Sequence, residues 1–503
     1  MSLSNLKRSS LKKTALAAAV SSAFSIGVSA QEQAASSSPV EEVLVKGLRQ
    51  SIERSMDIKR NSSGVVDSIA AEDLGKFPDL NVAESLQRIT GVAIDRSGGE
   101  GKQITVRGLG PEYNLVLVNG RQLATESFGR EFNFDVLSAD LISGADVYKT
   151  NRADLQEGGI GATVNLRTAR PFDQMGFRFG GSVKGMYETL SEKTAPSAAF
   201  LVSNTFADDR FGILFSYSHQ ERELQSNQVT TSGWRPGQTI SNTTIDPETG
   251  DPVENILFTN AFIPRNWDQI VDQQKRTRDN AALSIQFAPS EDIAITLDGF
   301  ISKFEIDSEV TDLAAWFEPG RVGSATIDAD TGTLLTFTQE TAIAGTSGAP
   351  SSDLVSHTRN SEDVNNRGFG LNIEWAINDL LTAKFDASTS SAKNDRAGND
   401  RFSVVGILGD YAYDGTGRYP TVTHEVFANG LPDASLSRMH YNEIGNKFSD
   451  EDEITELKAD FVYTPDSSVF QEAKFGAYHQ EREKSAFQIF GSQCQFCGYG
   501  TAA

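Results

Sequence analysis

The sequence has little cysteine, histidine or proline, and each shortage excludes a class of protein. Two cysteines in 503 residues are too few for a disulfide-dense secreted fold or a zinc ribbon. The five histidines are scattered, without the spacing of a metal site or a nucleophile relay, so we predict no enzyme, no metal and no cofactor. After the amino terminus no stretch is apolar enough over roughly 20 residues to be a membrane-spanning helix.

Basic residues are also scarce. There are 45 Lys and Arg against 68 Asp and Glu, which gives a formal net charge of −23. Proteins that bind nucleic acid neutralise phosphates with Lys and Arg, so this balance argues against a nucleic-acid partner. What the chain does have is glycine, 43 residues of it, as expected for a protein with many turns.

The first 30 residues have the pattern of a secretory signal peptide. A positive region precedes the uncharged residues 14–28, and small residues at Val28 and Ala30 predict cleavage between Ala30 and Gln31. The positive region consists of Lys7, Arg8, Lys12 and Lys13. An amino-terminal membrane anchor is the alternative, but the apolar stretch is shorter than a spanning helix needs. Cleavage would remove four cations and no acid.

From residue 177 onward, apolar and polar residues alternate with a period of two, which indicates strands with one apolar face and one polar face. Phe211, Ile213 and Phe215 alternate with Ser216 and Ser218 on the opposite face. We predict nine strands, near residues 177–188, 197–206, 211–223, 278–288, 292–305, 365–377, 380–393, 452–464 and 468–483.

The connections between these strands are alternately short and long. The long gaps, at residues 225–276, 308–360 and 396–450, are about 50 residues each, and we expect long surface loops there. A soluble β-sandwich would give the same alternation within strands but rarely carries several loops of that length. The sequence therefore predicts an antiparallel transmembrane β-barrel, with lipid as its partner.

Residues 60–170 differ from the rest and predict a small α/β domain. Val82, Leu86 and Ile89 recur at helical spacing. Residues 103–107, 115–118 and 163–166 are predicted strands, and Asn119-Gly120 is a strong tight-turn pair. A phosphate-binding loop at residues 158–161 is disfavoured, because it lacks the Gly-Lys-Ser/Thr ending and leads into a strand.

The segments EEVLVKG, NVAESLQRITGV, VRGLGPEYNLVLVNGR and EGGIGATVNLRT, in this order, resemble the TonB-dependent outer-membrane receptors. The resemblance implies a plug domain inside a barrel of about 22 strands. It also implies a location in the Gram-negative outer membrane and a partnership with TonB and its inner-membrane energising complex. TonB would pair with a short box, formed by Glu41, Glu42, Val43, Leu44, Val45, Lys46 and Gly47. A first plug strand at residues 42–48 is the alternative.

On this basis we divide the chain into four parts: a signal peptide at 1–30, a flexible segment with the box at 31–57, the plug at 58–171, and barrel at 172–503. Because nine strands are far fewer than about 22 and their number is odd, we expect an incomplete barrel, an open sheet that partly surrounds the plug.

The expected function is TonB-energised import of a scarce nutrient. The sequence ESLQRITGVAIDR with the glycines at 98, 99 and 101 is similar to large receptors associated with oligosaccharide uptake. A siderophore or other metal-chelate receptor is the alternative, and a passive porin is the rival from another class, against which the plug argues. Candidate sugar-stacking residues are Trp234, Trp267, Trp316 and Phe317, with loop anchoring as their alternative role.

Two further residues, Cys494 and Cys497, have the spacing of a redox motif. They are not placed between a strand and a helix, as a redox site would require, so a loop disulfide is the better interpretation.

Overall fold

The computed structural model describes residues 53, 55–70, 81–340, 352–396, 400–407, 409–424, 427–428, 431–432, 437–466 and 469–495. The signal peptide, the cleavage site, the box at residues 41–47 and Cys497 lie outside these ranges and stay predictions. Among the described residues, no helix is long and apolar enough to cross a membrane.

Within the described residues, the small domain begins with a helical segment at residues 55–61, which is followed by seven strands and a short helix. In chain order they are β1 (Val66–Ala70), α1 (Val82–Leu86), β2 (Val92–Ser97), β3 (Glu100–Val106), β4 (Asn114–Val118), β5 (Arg121–Gln122), β6 (Ile142–Tyr148) and β7 (Ala162–Thr168).

Five of these strands form a mixed sheet in the order β1, β6, β7, β4, β5, in which only the β4 and β7 pair is parallel. Strands β2 and β3 form a separate hairpin. Helix α1 begins after Asn81, whose side chain accepts hydrogen bonds from the backbone N–H groups of Ala83 and Glu84. Leu86 and Ile89 are buried in the domain core, as their helical spacing predicts. Gly120 has a φ of 83°, as the predicted tight turn requires.

The rest of the described chain is almost entirely β. The strands are β8 (Arg178–Glu188), β9 (Lys193–Phe206), β10 (Phe211–Thr230), β11 (Trp234–Ile245), β12 (Pro252–Pro264), β13 (Asn266–Ser290), β14 (Ile293–Trp316), β15 (Val322–Ile327), β16 (Leu334–Gln339), β17 (Ser352–Asn378), β18 (Leu381–Arg396), β19 (Arg401–Ile407), β20 (Tyr411–Asp414), β21 (Thr421–His424), β22 (Phe427–Ala428), β23 (Leu431–Pro432), β24 (Ser437–Ile444), β25 (Lys447–Tyr463), β26 (Ala473–Ile489) and β27 (Ser492–Gln495).

Nine of them form the main path of a 12-stranded antiparallel sheet, in the order β8, β9, β10, β13, β14, β17, β18, β25, β26, and β19, β24 and β27 branch from it at β17. These are the nine strands that the alternation predicts, and the predicted incomplete barrel is confirmed. In the described part of the chain no ladder joins β8 to β26, so the sheet is open. The ninth strand begins at Ala473 instead of residue 468. The largest differences are at β13, β14 and β17, which extend 11 to 13 residues beyond the predicted strands.

The two faces of the long sheet differ in chemistry. Apolar side chains on the convex face, such as Phe215, Leu283 and Leu297, are exposed. Their neighbours in the chain, Ser216 and Ser284 among them, point toward the small domain and are buried. A sheet with this polarity suits lipid on one side and a polar domain on the other.

The expectation of long irregular loops is wrong. Strands β10, β13, β14 and β17 continue far into the predicted gaps, and further hairpins follow them. The strands β11, β12, β15, β16, β20 and β21, here called the outer subdomain, contribute to one apolar core with the ends of β13 and β14. Phe317 lies in this core, edge-on to the ring of Phe337 at 4.7 Å between centroids.

Candidate functional site

The candidate site is the interface between the small domain and the concave face of the long sheet. Both surfaces are rich in charged groups, and several of these groups are buried. A buried charge is tolerated only when it is paired, so the pairs across this interface define how the domain is held.

The first pair centres on Arg121, which opens β5 after the Asn119-Gly120 turn. Its Nε and Nη2 atoms donate to the two carboxylate oxygens of Asp386 on β18, at 2.7 and 2.9 Å. Its Nη1 donates to Asp298 on β14. Burial acts to lower the pKa of Arg121, but the bonds to Asp386 and Asp298 outweigh burial and raise that pKa overall. A Cβ atom at Gly370 would collide with the guanidinium, so glycine at that position makes room for it.

The second group has the opposite polarity, with an acid on the small domain and bases on the sheet. Glu100, at the start of β3, is only 1% exposed. Its carboxylate lies 3.1 Å from Arg278, 3.3 Å from Arg276 and 3.4 Å from Arg222. Burial acts to raise the pKa of Glu100, but these three guanidinium charges outweigh it, and the pKa lies below its usual value of 4.5.

The turn before Glu100 is shaped for this contact. Gly98 has a φ of 57°, and its carbonyl oxygen accepts a hydrogen bond from Arg222 at 2.9 Å. A Cβ atom on Gly98 would lie 2.0 Å from the guanidinium of Arg276. Only glycine allows the backbone both this conformation and this approach.

A third region of contact follows β5, where backbone N–H groups donate to sheet side chains. Gln122 donates to Glu456 at 3.0 Å, Ala124 to Ser390 at 3.0 Å, and Thr125 to Asp452 at 2.8 Å. These hydrogen bonds run across β18 and β25.

Lys484 on β26 extends this contact. Its Nζ atom donates to the hydroxyl of Thr125 at 3.0 Å and to the carbonyl oxygens of Ser127 and Gly129 at 2.8 and 2.6 Å. Residues 122–129 are therefore fixed to three strands by polar contacts, which can exchange for water if the domain moves.

The predicted sugar-stacking residues do not share one environment. Trp234 opens β11 and is 48% exposed. Trp267 is 4% exposed, and its Nε1 donates to the carbonyl oxygen of Pro420 at 2.9 Å. Phe317 is fully buried, and Trp316 donates from Nε1 to Asp353 at 3.1 Å. For Trp267 and Phe317 this placement supports loop anchoring, and Trp234 remains the candidate with an open ring face.

Sequence reasoning did not find the interface residues Glu100, Arg121 and Asp298. A signal was present for two of them: Asp298 lies on the polar face of its strand, and Arg121 ends the VNGR segment. No sequence pattern places Glu100 opposite three arginines about 120 to 180 residues later, because that contact depends on the register of β10 and β13.

Residues 58–163 match the family profile of the TonB-dependent Receptor Plug Domain. This region contains Glu100, Arg121 and the mixed sheet up to the start of β7, so the small domain is a plug of this family. Comparison with curated protein sequences finds no match.

Among solved structures, the chain is similar to the ferric citrate transporter FecA in its unliganded form, at 13% identity and a TM-score of 0.32, covering 86% of this chain and 75% of that one. It is also similar to the siderophore receptor PiuA of Acinetobacter baumannii, at 10% identity and a TM-score of 0.32, covering 85% of this chain and 62% of that one. It is similar as well to BauA, the ferric preacinetobactin receptor of the same species, at 12% identity and a TM-score of 0.34, covering 83% of this chain and 61% of that one. The chain thus spans less than two thirds of PiuA and of BauA.

Proposed function

We propose that this chain, which carries the plug domain of the TonB-dependent receptors, binds a scarce nutrient on the outer side of the plug and imports it with energy from TonB. The observation that carries the proposal is the plug match over residues 58–163, in a domain held by polar contacts against an open sheet with an apolar convex face. The site of action would be the Gram-negative outer membrane.

The plug is attached in a way that suits a pull from its amino-terminal side. The first strand, β1, lies at the edge of the plug sheet, and among the described strands it pairs only with β6, through five residues. Asp67 of β1 forms ion pairs with Lys149 at 2.5 Å and with Lys59 at 2.7 Å. Force applied to the segment before β1 therefore reaches an edge strand first, and an edge strand can be peeled away one pair at a time.

For the ligand we propose an oligosaccharide, and two observations support it over an anionic metal chelate. Trp234 has an exposed ring that could stack on a sugar. The inner wall of the sheet above Arg276 is lined by Gln274, Asp272 and Ser308, which hydrogen-bond to one another and suit hydroxyl groups. An anionic chelate would need a positively charged side chain that is not already neutralised by an acid, whereas Arg276 is paired with Glu100.

Coupling to TonB is tested by replacing Leu44 with proline. Proline deletes a backbone donor from the middle of the proposed box, so β pairing with TonB should fail while the plug still folds. Ser37→Pro, in the polar stretch before the box, is the matched control. We expect Leu44→Pro cells to bind labelled ligand but not to accumulate it, whereas Ser37→Pro cells do both. Accumulation that stays normal in Leu44→Pro cells would show that the box lies elsewhere.

Ligand class is tested separately, with purified chain and calorimetry. A panel of neutral oligosaccharides and ferric citrate would be titrated against the wild type and Trp234→Ala. Binding of a sugar that Trp234→Ala weakens about fivefold supports the proposal, since one stacked ring contributes roughly 1 kcal/mol. Binding of ferric citrate alone would assign the chain to the metal-chelate class instead.

A further inference from the structure

One buried group in the plug has no role in the contacts described so far. Glu126 follows directly after Thr125, within the segment fixed to β18, β25 and β26. Its side chain turns inward and the residue is only 5% exposed. Oε1 accepts a hydrogen bond from the side chain of Asn133, and Oε2 has no hydrogen-bond partner among the described residues.

A second acid lies in the same segment. Asp135 is 2% exposed, and its backbone carbonyl oxygen accepts a hydrogen bond from Arg278 at 2.5 Å. Asn133, between the two acids, is itself held by Gln103, whose Nε2 donates to it at 2.9 Å. The two carboxyl groups are thus part of one buried polar cluster between the plug and the sheet.

The charges around this cluster come from every element packed against it. They are Glu131 in the same segment, Glu100 and Lys102 on β3, Arg276 and Arg278 on β13, Glu362 on β17, Asp452 on β25, and Arg482 and Lys484 on β26. Several of the cations already have partners: Arg276 and Arg278 pair with Glu100, Lys102 lies 3.5 Å from Glu362, and Arg482 pairs with Asp452.

No Lys, Arg or His in the described part of the chain lies within ion-pair distance of Glu126, although Lys102 and Lys484 act on it from farther away. Two like charges in one buried cluster also disfavour each other. Burial, followed by the charge of Asp135, raises the pKa of Glu126 to about 7. Burial likewise raises the pKa of Asp135 to about 6, although Lys102 and Arg278 act in the opposite direction. The unpartnered Oε2 is what the geometry provides for a proton.

We propose that Glu126 and Asp135 form a buried proton-binding site that keeps residues 121–136 docked on the sheet, so that loss of the proton loosens this part of the plug. The site goes beyond coupling to TonB, since it acts on the opposite end of the plug from β1 and needs no partner protein. It makes the outer part of the plug responsive to the pH around it.

The direction of the pH effect follows from the raised pKa. When the segment is released, Glu126 is exposed to water and titrates near 4.5. Between that value and about 7 the released form is ionised while the docked form keeps its proton, so docking weakens as pH rises, by up to about tenfold per pH unit. Above about pH 7 both forms are ionised at Glu126, and the effect levels off.

Hydrogen exchange of the detergent-solubilised chain tests this directly. Protection factors for peptides within residues 121–136 would be measured from pH 4.5 to pH 9, with intrinsic exchange rates divided out. We expect protection in the wild type to fall as pH rises toward 7. In Glu126→Gln, whose amide oxygen can still accept from Asn133, protection at pH 8 should be at least tenfold higher than in the wild type, while at pH 4.5 the two should agree.

Glu131→Gln changes a half-buried acid of the same segment and serves as the matched control, which should keep the slope of the wild type. Peptides from β6 serve as an internal control and should show no such slope. Equal slopes in the wild type and Glu126→Gln, or lower protection in Glu126→Gln at every pH, would overturn the proposal.

An infrared titration provides a second measurement that does not depend on the variant's stability. A protonated carboxylic acid has a C=O stretching band distinct from that of a carboxylate. The wild type should show this band at pH 6 and lose it by pH 9, and Glu126→Gln should show a smaller band at pH 6. Absence of the band from the wild type at pH 6 would contradict the proton site even if Glu126→Gln failed to fold.

Discussion

Arg121 and Asp386 are 265 positions apart in the chain and meet in a bidentate ion pair at the centre of the plug interface. The planar guanidinium matches both carboxylate oxygens, so the pair fixes the orientation of β5 as well as its position. Asp298 binds the same guanidinium from β14. One plug side chain thereby links two strands that are separated in the sheet by β17.

Removal of this cation should loosen the plug. Arg121→Ala removes the guanidinium from buried Asp298 and half-buried Asp386, which keep Arg170 at 3.4 Å and Asn372 at 3.0 Å. We therefore expect the opening free energy of β4 and β5 to fall by about 3 kcal/mol, at the lower end for a broken buried pair. Native-state hydrogen exchange measures that change. Arg178→Ala, at an exposed position on β8, is the control and should change it by less than about 0.5 kcal/mol. Adding Asp386→Asn to Arg121→Ala should restore part of the loss, and a purely additive double variant would argue against the pair.

Protonation of Glu100 should destabilise the plug interface at low pH. Its pKa is lowered in the folded chain, so its contribution to stability is fully present above about pH 4.5 and is lost as pH falls through the folded value. We expect the β2 and β3 hairpin to lose protection below pH 4.5 in the wild type. Glu100→Gln should lack protection there already at pH 7, because Arg276 and Arg278 then lose the counter-charge of Glu100, whereas Arg222 keeps Glu188. A wild-type hairpin that stays equally protected down to pH 2 would contradict this.

The two turn glycines separate backbone strain from steric collision. Gly98 and Gly120 both have positive φ, but a Cβ atom on Gly120 meets nothing within 4 Å, whereas one on Gly98 meets Arg276. Gly120→Ala should therefore cost about 1–2 kcal/mol from strain alone. Gly98→Ala should cost more, because the Arg276 contact with Glu100 must also shift. Thermal unfolding of the two variants compares their losses of stability. An equal loss for Gly98→Ala and Gly120→Ala would show that Arg276 moves aside freely.

Trp234 and Phe317 should behave differently, although both are aromatic residues of the outer region. Phe317→Ala opens a cavity in the outer subdomain, so we expect a loss of about 3–5 kcal/mol in its local stability. Trp234→Ala removes an exposed ring and should leave that stability nearly unchanged while weakening ligand binding. Proteolysis rates of residues 234–264 report the first effect and calorimetry the second. Weakened binding with Phe317→Ala alone would mean that Trp234 does not contact ligand.

The sequence was sufficient for the nine strands and the plug but not for the outer subdomain, and the reason is physical. Where one face of a strand is apolar, alternation is strong, as in Phe211, Ile213 and Phe215. Farther along the same strand both faces are polar, as in residues 225–228, so the alternation of apolar and polar residues disappears. The backbone hydrogen bonding between β10 and β13 nevertheless continues there. Backbone pairing needs no apolar face, only a neighbouring strand already in register.

The interface was harder to predict for another reason. Glu100 and Arg121 find their partners through the register of strands that lie more than a hundred residues away, and a one-residue slip would turn those partners outward. Inward-facing Asp298 could be identified as polar from its strand pattern, but nothing in the sequence pairs it with Arg121. The same holds for Glu126, which is buried next to Thr125, where the plug meets Asp452 of β25.

The length of the sheet strands determines how far the outer subdomain lies from the membrane surface in the proposed placement. A strand needs roughly 9–11 residues to cross the hydrocarbon core, and β14 has 24. With the proposed placement, the surplus of about 13 residues at roughly 3.3 Å each, tilted by about 45°, raises the outer subdomain on the order of 30 Å above the lipid. An antibody or a phage approaching the cell would then touch residues 234–264 first and would find the plug out of reach. Amino-acid substitutions that evade such binding should therefore concentrate in the outer subdomain and be rarer among the buried charges of the plug interface.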